Sequence, residues 1–132
     1  MPSTVTASIE TGATPAQVLD VLADASRLRQ WAPGFADAVT GDAETGWRVT
    51  KDDRSFPLRV VVNDRAGTVD YLRDVAPGQV GGAYLRATPS PQGGSVTTMT
   101  MPVLPEFGPA DSAAVLQSEI ANLAQLLSSL NS

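Results

Sequence analysis

The sequence predicts an α+β fold: an antiparallel sheet of about seven strands, two short helices after the first strand, and a long C-terminal helix. Three observations lead there. A capped amphipathic segment at 14–24 follows the first strand-like run. From 36 to 104 the apolar residues recur with period two, interrupted by short Gly/Pro turns. From 109 to 131 the period becomes that of a helix and keeps one apolar stripe. The 132 residues are read as one domain, 1–132.

Residues 4–9, "TVTASI", alternate, with Val5, Ala7 and Ile9 on one face, and Gly12 ends the strand. In "TPAQVLDVLAD", 14–24, Thr14 suits the N-cap, Pro15 the first helical position, and Gln17 completes a capping box. Val18, Leu19, Val21 and Leu22 form its apolar side. Asp24 or Ser26 can cap a second short helix carrying Leu28 and Trp31, which Pro33-Gly34 stops. "SRLRQWAPGF" thus places Trp31 and Phe35, two of only five Trp and Phe residues, around a turn.

"ADAVTGD", 36–42, is a short strand. "GWRVTKDD" puts Trp47 and Val49 on one face. "SFPLRVVVND" puts Phe56, Leu58, Val60 and Val62 together, with Pro57 marking an edge or bulged start. "DRAG", 64–67, is a hairpin loop. "TVDYLRDV" sets Val69, Tyr71 and Arg73 against Asp70, Leu72 and Asp74. "APGQVGG", 76–82, reads as the next turn. In "AYLRATP", 83–89, Ala83, Leu85 and Ala87 oppose Tyr84, Arg86 and Thr88. After the turn "PSPQGG", the strand "SVTTMTMPV" aligns Thr97, Met99, Met101 and Val103. Strands joined by such short turns form an antiparallel meander. In the last helix Pro109 opens, Asp111 or Ser112 caps, and Leu116, Ile120, Leu123, Leu127 and Leu130 make the stripe. Gln117, Glu119, Asn122 and Ser129 are assigned off it.

Composition narrows the function. There is no cysteine and no histidine, which removes thiolate chemistry, the commonest metal ligand and any Ser-His or Cys-His arrangement. No carboxylate spacing suggests a metal site, and no cofactor is expected. A net charge of −5 with nine scattered basic residues argues against nucleic acid. No apolar run is long enough to span a membrane, and "MPSTVTASIETG" lacks the features of a signal peptide. A cytoplasmic protein without integral membrane association is the expectation.

The segment "TPAQVLDVLADASRLRQWAPGF", the run "VTKDDRSFPLRVVVNDRAGTVDY" and the closing amphipathic helix resemble the START/SRPBCC superfamily, in particular its short polyketide cyclase/dehydrase-like members, over nearly the whole chain. The resemblance implies a helix-grip fold, with a curved sheet gripping the long helix around a cavity that holds lipids, sterols or polyketides. Trp31, Phe35, Trp47, Phe56, Leu58, Val60, Tyr71, Arg73, Leu85, Met99, Met101, Leu116 and Ile120 would line it, and core packing is the competing reading for the aromatic residues and methionines. An inward Arg73 would need a carboxylate, and so could anchor an anionic headgroup. If a cyclase or dehydrase operates, Tyr71, Arg73, Tyr84, Arg86 and scattered carboxylates are the available groups, with Tyr71, Arg73 and Tyr84 the first candidates. Glu119 would become an acid/base candidate only if it were turned inward and buried. The resemblance also allows a homodimer, or an interaction module with a vestigial cavity.

Overall fold

A computed structural model describes residues 3–130. Strand β1 (Thr4–Thr11) leads into α1 (Pro15–Ala23), a single tight turn at Ala25–Arg27, and α2 (Leu28–Trp31). Six strands follow: β2 (Ala38–Asp42), β3 (Gly46–Lys51), β4 (Arg54–Asn63), β5 (Thr68–Ala76), β6 (Gln79–Pro89) and β7 (Ser95–Pro102). Helix α3 (Gly108–Leu130) closes the described chain; the predicted extension of this helix to 131 lies outside the described residues.

The sheet order is β1-β7-β6-β5-β4-β3-β2, antiparallel throughout. Strands β2 to β7 form the meander. The β1-to-β2 connection, carrying α1 and α2, therefore crosses from one edge of the sheet to the other. Thr14 caps α1 as expected: its side chain accepts the Gln17 N–H, and the Gln17 side chain accepts the Thr14 N–H at 2.9 Å. Pro57 stands in β4 just ahead of the β4–β5 ladder, which begins at Arg59–Leu72. A residue with no N–H is thus kept out of that ladder.

Period-two patterning becomes one transverse row of inward side chains. Val62, Val69, Leu85, Met99 and Ala7 are successive partners across five strands, and all but Val62 are buried. Leu116, Ile120, Leu123 and Leu127 of α3 join the same core, as do Val18, Leu19, Val21 and Leu22 of α1. Burying a side chain of this size is worth about 1.5–3 kcal/mol, so this double layer dominates the stability of the fold.

Three local expectations are corrected. β6 begins at Gln79, so Gly81-Gly82 belong to a strand; the turn is only the segment around Gly78. Gly82 suits the strand because a Cβ there would lie 2.6 Å from the Tyr71 carbonyl oxygen, while a Cβ on Gly81 would meet the Val75 side chain at 2.8 Å. Ser112 does not cap α3. The helix starts at Gly108, whose φ of +78° suits glycine, and the Ser112 hydroxyl accepts the Leu104 N–H at 2.9 Å. Finally, Glu119 is not off the stripe but among the buried residues of α3.

Candidate functional site

Most of the residues singled out above lie between the inner face of the sheet and α3. Trp31, Leu58, Tyr71, Leu85, Met99, Met101, Leu116 and Ile120 are buried in one cluster, and Phe35, Trp47, Phe56 and Val60 pack against it, half-buried. Depth therefore varies across the fold. The side chains beneath α1 and α3 are buried, while Trp47, Phe56 and Val60 on the β3–β4 wing are half-buried.

The turn after α2 sits beside that wing. The Phe35 ring meets Phe56 edge-on, with centroids 5.6 Å apart. The Arg73 guanidinium lies 4.6 Å from the Phe56 centroid, a cation–π contact. Arg73 is half-buried and forms no ion pair among the described residues. Asp37 pins the same turn to the β3–β4 hairpin. It accepts the Asp52 N–H at 2.8 Å and pairs with Lys51 at 3.1 Å, and these bonds hold its carboxyl below the usual range. Lys51 also donates to the Pro33 carbonyl.

Trp31 is 1 % exposed, and its ring lies 6.1 Å from that of Tyr71. The Tyr71 hydroxyl is committed: it donates to the Leu22 carbonyl of α1 at 2.5 Å. Burial drives its phenol far above the ordinary value. Tyr71 is thus a pillar between sheet and α1 and is poorly suited to proton transfer. Tyr84, the other tyrosine weighed for catalysis, is 45 % exposed. It points to the outer face, as does Arg86, because their neighbours Ala83, Leu85 and Ala87 take the inner one. The Arg59–Asp74 pair, at 3.4 Å, is likewise on the solvent side.

The interior nevertheless carries polar groups without partners. The Trp31 Nε1–H and the Thr97 hydroxyl are buried with no hydrogen-bond partner. Glu119 is 8 % exposed and makes no hydrogen bond or ion pair among the described residues. Burial pushes its carboxyl up to about 7. The sequence reading names Glu119 as a candidate only if buried and assigns it off the stripe; the structure buries it. Its spacing held the signal, since it stands three residues after Leu116 and four before Leu123, both same-face positions.

Two surface clefts lie elsewhere. One, of about 430 Å³, runs between α1 (Pro15, Leu19) and the β4–β5 loop with the end of β6 (Arg65, Arg86, Thr88). The other, of about 210 Å³, lies between α1 and the end of α3, at Gln17, Arg27 and Leu127. Neither is lined by the residues predicted above to line a cavity, though the core residues Leu19, Val21 and Leu127 reach them. No group of carboxylates among the described residues could hold a metal ion, and no described helix is long and apolar enough to cross a membrane.

Residues 2–128 match the family model described as polyketide cyclase/dehydrase and lipid transport. No curated protein matches the chain. Among solved structures, a START superfamily protein from Mycobacterium smegmatis is similar, with a TM-score of 0.70 at 12 % identity over 98 % of this chain and 99 % of that one. Ara h 8.0201 is similar too, with a TM-score of 0.60 at 13 % identity over 96 % and 97 % of the two chains. TTHA0849 from Thermus thermophilus gives 0.69 at 14 % identity over 98 % and 99 %. At these identities the likeness establishes the helix-grip fold.

Proposed function

Because the chain belongs to the polyketide cyclase/dehydrase and lipid transport family, we propose that it binds a small hydrophobic or amphipathic molecule between the inner face of the sheet and α3, as a cytoplasmic carrier or sensor. The observation that carries this reading is Glu119. A core evolved only for packing gains nothing from a buried carboxyl with no partner, and such burial costs free energy until something answers it. An otherwise apolar wall with a few polar groups is what a small-molecule site requires. The half-buried wing of Phe35, Trp47, Phe56 and Val60 is the side from which a ligand would enter. Arg73 stands at its rim, where a polar end of the ligand could meet it.

The catalytic reading has fewer supports. A cyclase or dehydrase needs a group that exchanges protons near neutral pH. Tyr71 is hydrogen-bonded and buried, and Tyr84 faces solvent. Glu119 has a titration range near neutral, with no second titratable group paired to it among the described residues.

The test is native mass spectrometry of the purified protein, then organic extraction of the denatured protein, together with titration by Nile red, a neutral fluorescent probe. A co-purifying small molecule, or saturable binding of one probe per chain that Met99→Lys abolishes and Asp52→Asn leaves intact, supports the reading. No co-purifying molecule and no saturable probe binding by a folded protein overturns it.

A further inference from the structure

We propose that the ligand of this interior carries a hydroxyl group, and that Trp31 Nε1 and Glu119 together recognise it. The inference rests on the binding reading above and deepens it by naming the polar chemistry of the ligand.

Both groups are more than nine-tenths buried. The Trp31 Nε1–H is sealed from solvent with no hydrogen-bond partner, and Glu119, 8 % exposed, makes no hydrogen bond or ion pair among the described residues. They reach the interior from adjoining helices. The Asn122 side-chain amide donates to the Trp31 carbonyl at 3.2 Å, and Glu119 precedes Asn122 by three residues, about 4.5 Å along the axis of α3. The end of α2 is thereby fastened within one turn of Glu119. Trp31 in turn lies against Tyr71, on the inner face of β5.

The two groups have complementary demands. An indole N–H only donates. A buried carboxyl accepts when ionised, and when neutral it both donates and accepts. A hydroxyl satisfies both at once, accepting from the indole while donating to a carboxyl oxygen. While Glu119 is ionised, the other common headgroups satisfy only one; a carbonyl, for example, accepts from the indole but cannot donate to the carboxylate. A carboxylate or phosphate would accept from Trp31 but meet like charge at an ionised Glu119. An ammonium would pair with Glu119 but has no lone pair for the indole. A plain hydrocarbon leaves both unanswered, at the cost of two desolvated polar groups. Recognition by the groups that stay unpaired without the right ligand is the strong form of polar selectivity. The inner face, with Leu85, Met99, Leu116 and Ile120, sets the remainder of the ligand as apolar.

The experiment uses four probes with one aromatic body: naphthalene, naphthol, naphthoate and naphthylmethylammonium. Binding is measured by titration, and the indole N–H resonances of the two tryptophans are followed in proton–nitrogen correlation spectra. Trp31→Phe assigns the Trp31 resonance. The expected result is that naphthol binds about tenfold more tightly than naphthalene and more tightly than either ion. Naphthol should also move the Trp31 resonance. Trp31→Phe and Glu119→Gln should each reduce the naphthol-over-naphthalene preference severalfold, with circular dichroism and melting curves showing that the variants still fold. Equal binding of naphthol and naphthalene, or a preference that survives both substitutions, overturns the hydroxyl assignment and leaves the binding site standing. If no probe, naphthalene included, binds the folded wild-type protein, the binding reading and this inference fall together.

Discussion

The Asn122 side-chain amide donates to the main-chain carbonyl of Trp31 across the α2–α3 contact, at 3.2 Å. This bond answers why a tryptophan stands just before a Pro-Gly break. Ala32 leaves the helical conformation, with ψ of 59°. The Trp31 carbonyl, at the end of a helix of only four residues, needs a partner from outside. Asn122 supplies it and so positions the indole over Tyr71. Replacing Asn122 with Ala should lower stability by about 1 kcal/mol. In urea the midpoint should fall with an unchanged slope. An unaltered midpoint would mean that the bond holds nothing in place.

Tyr71→Phe removes the hydroxyl that meets Leu22 and leaves that carbonyl buried without a partner. The expected loss is about 1–3 kcal/mol, read as a lower melting temperature. Affinity for an apolar probe should change little, because the ring that faces Trp31 remains. A collapse of binding with normal stability would instead assign the Tyr71 hydroxyl to the ligand.

Much of this arrangement was legible in the sequence, and what was missed has a common cause. Alternation grouped Val69 with Tyr71 and set Ala83, Leu85 and Ala87 against Tyr84, because sharing a strand face follows from local spacing alone; which face of each strand is the inner one stayed open, since that depends on the elements packed against it. The end of "APGQVGG" was misread as turn because glycine is equally at home in a turn and where two backbones crowd. Only the Tyr71 carbonyl, distant in sequence, distinguishes the two. Glu119 was misplaced because the stripe was traced through leucines and isoleucine. Its position between Leu116 and Leu123 implied the buried face, but its charge argued for solvent, and charge usually wins. Which buried groups lack partners depends on contacts between elements, so Trp31 Nε1 had no signature in the sequence.

Gly82→Ala tests the crowding at β6. The new methyl would approach the Tyr71 carbonyl oxygen to 2.6 Å and Leu72 Cδ2 to 2.9 Å. Backbone cannot yield as a flexible side chain does, so a loss of about 1–3 kcal/mol is expected. Thermal unfolding measures it. Because the strain falls on Tyr71, the Trp31 fluorescence should shift as well. A neutral effect on both would show that the β5–β6 ladder adjusts freely.

Glu119 makes stability depend on pH in a direction that can be worked out. Its carboxyl is held up to about 7 against an ordinary 4.5, through burial. The folded state therefore binds a proton that the unfolded chain has released. Stability is complete below about 4.5 and declines as pH rises through about 7, where the folded carboxyl ionises. The total loss is as much as roughly 3 kcal/mol. Glu119→Gln keeps the shape and removes the titration. Its melting temperature should equal or trail that of the wild type near pH 5 and exceed it above about pH 8. Melting curves of both proteins across this range decide the matter, since a wild-type stability that follows the variant's at every pH would place the carboxyl in water and remove it from the interior.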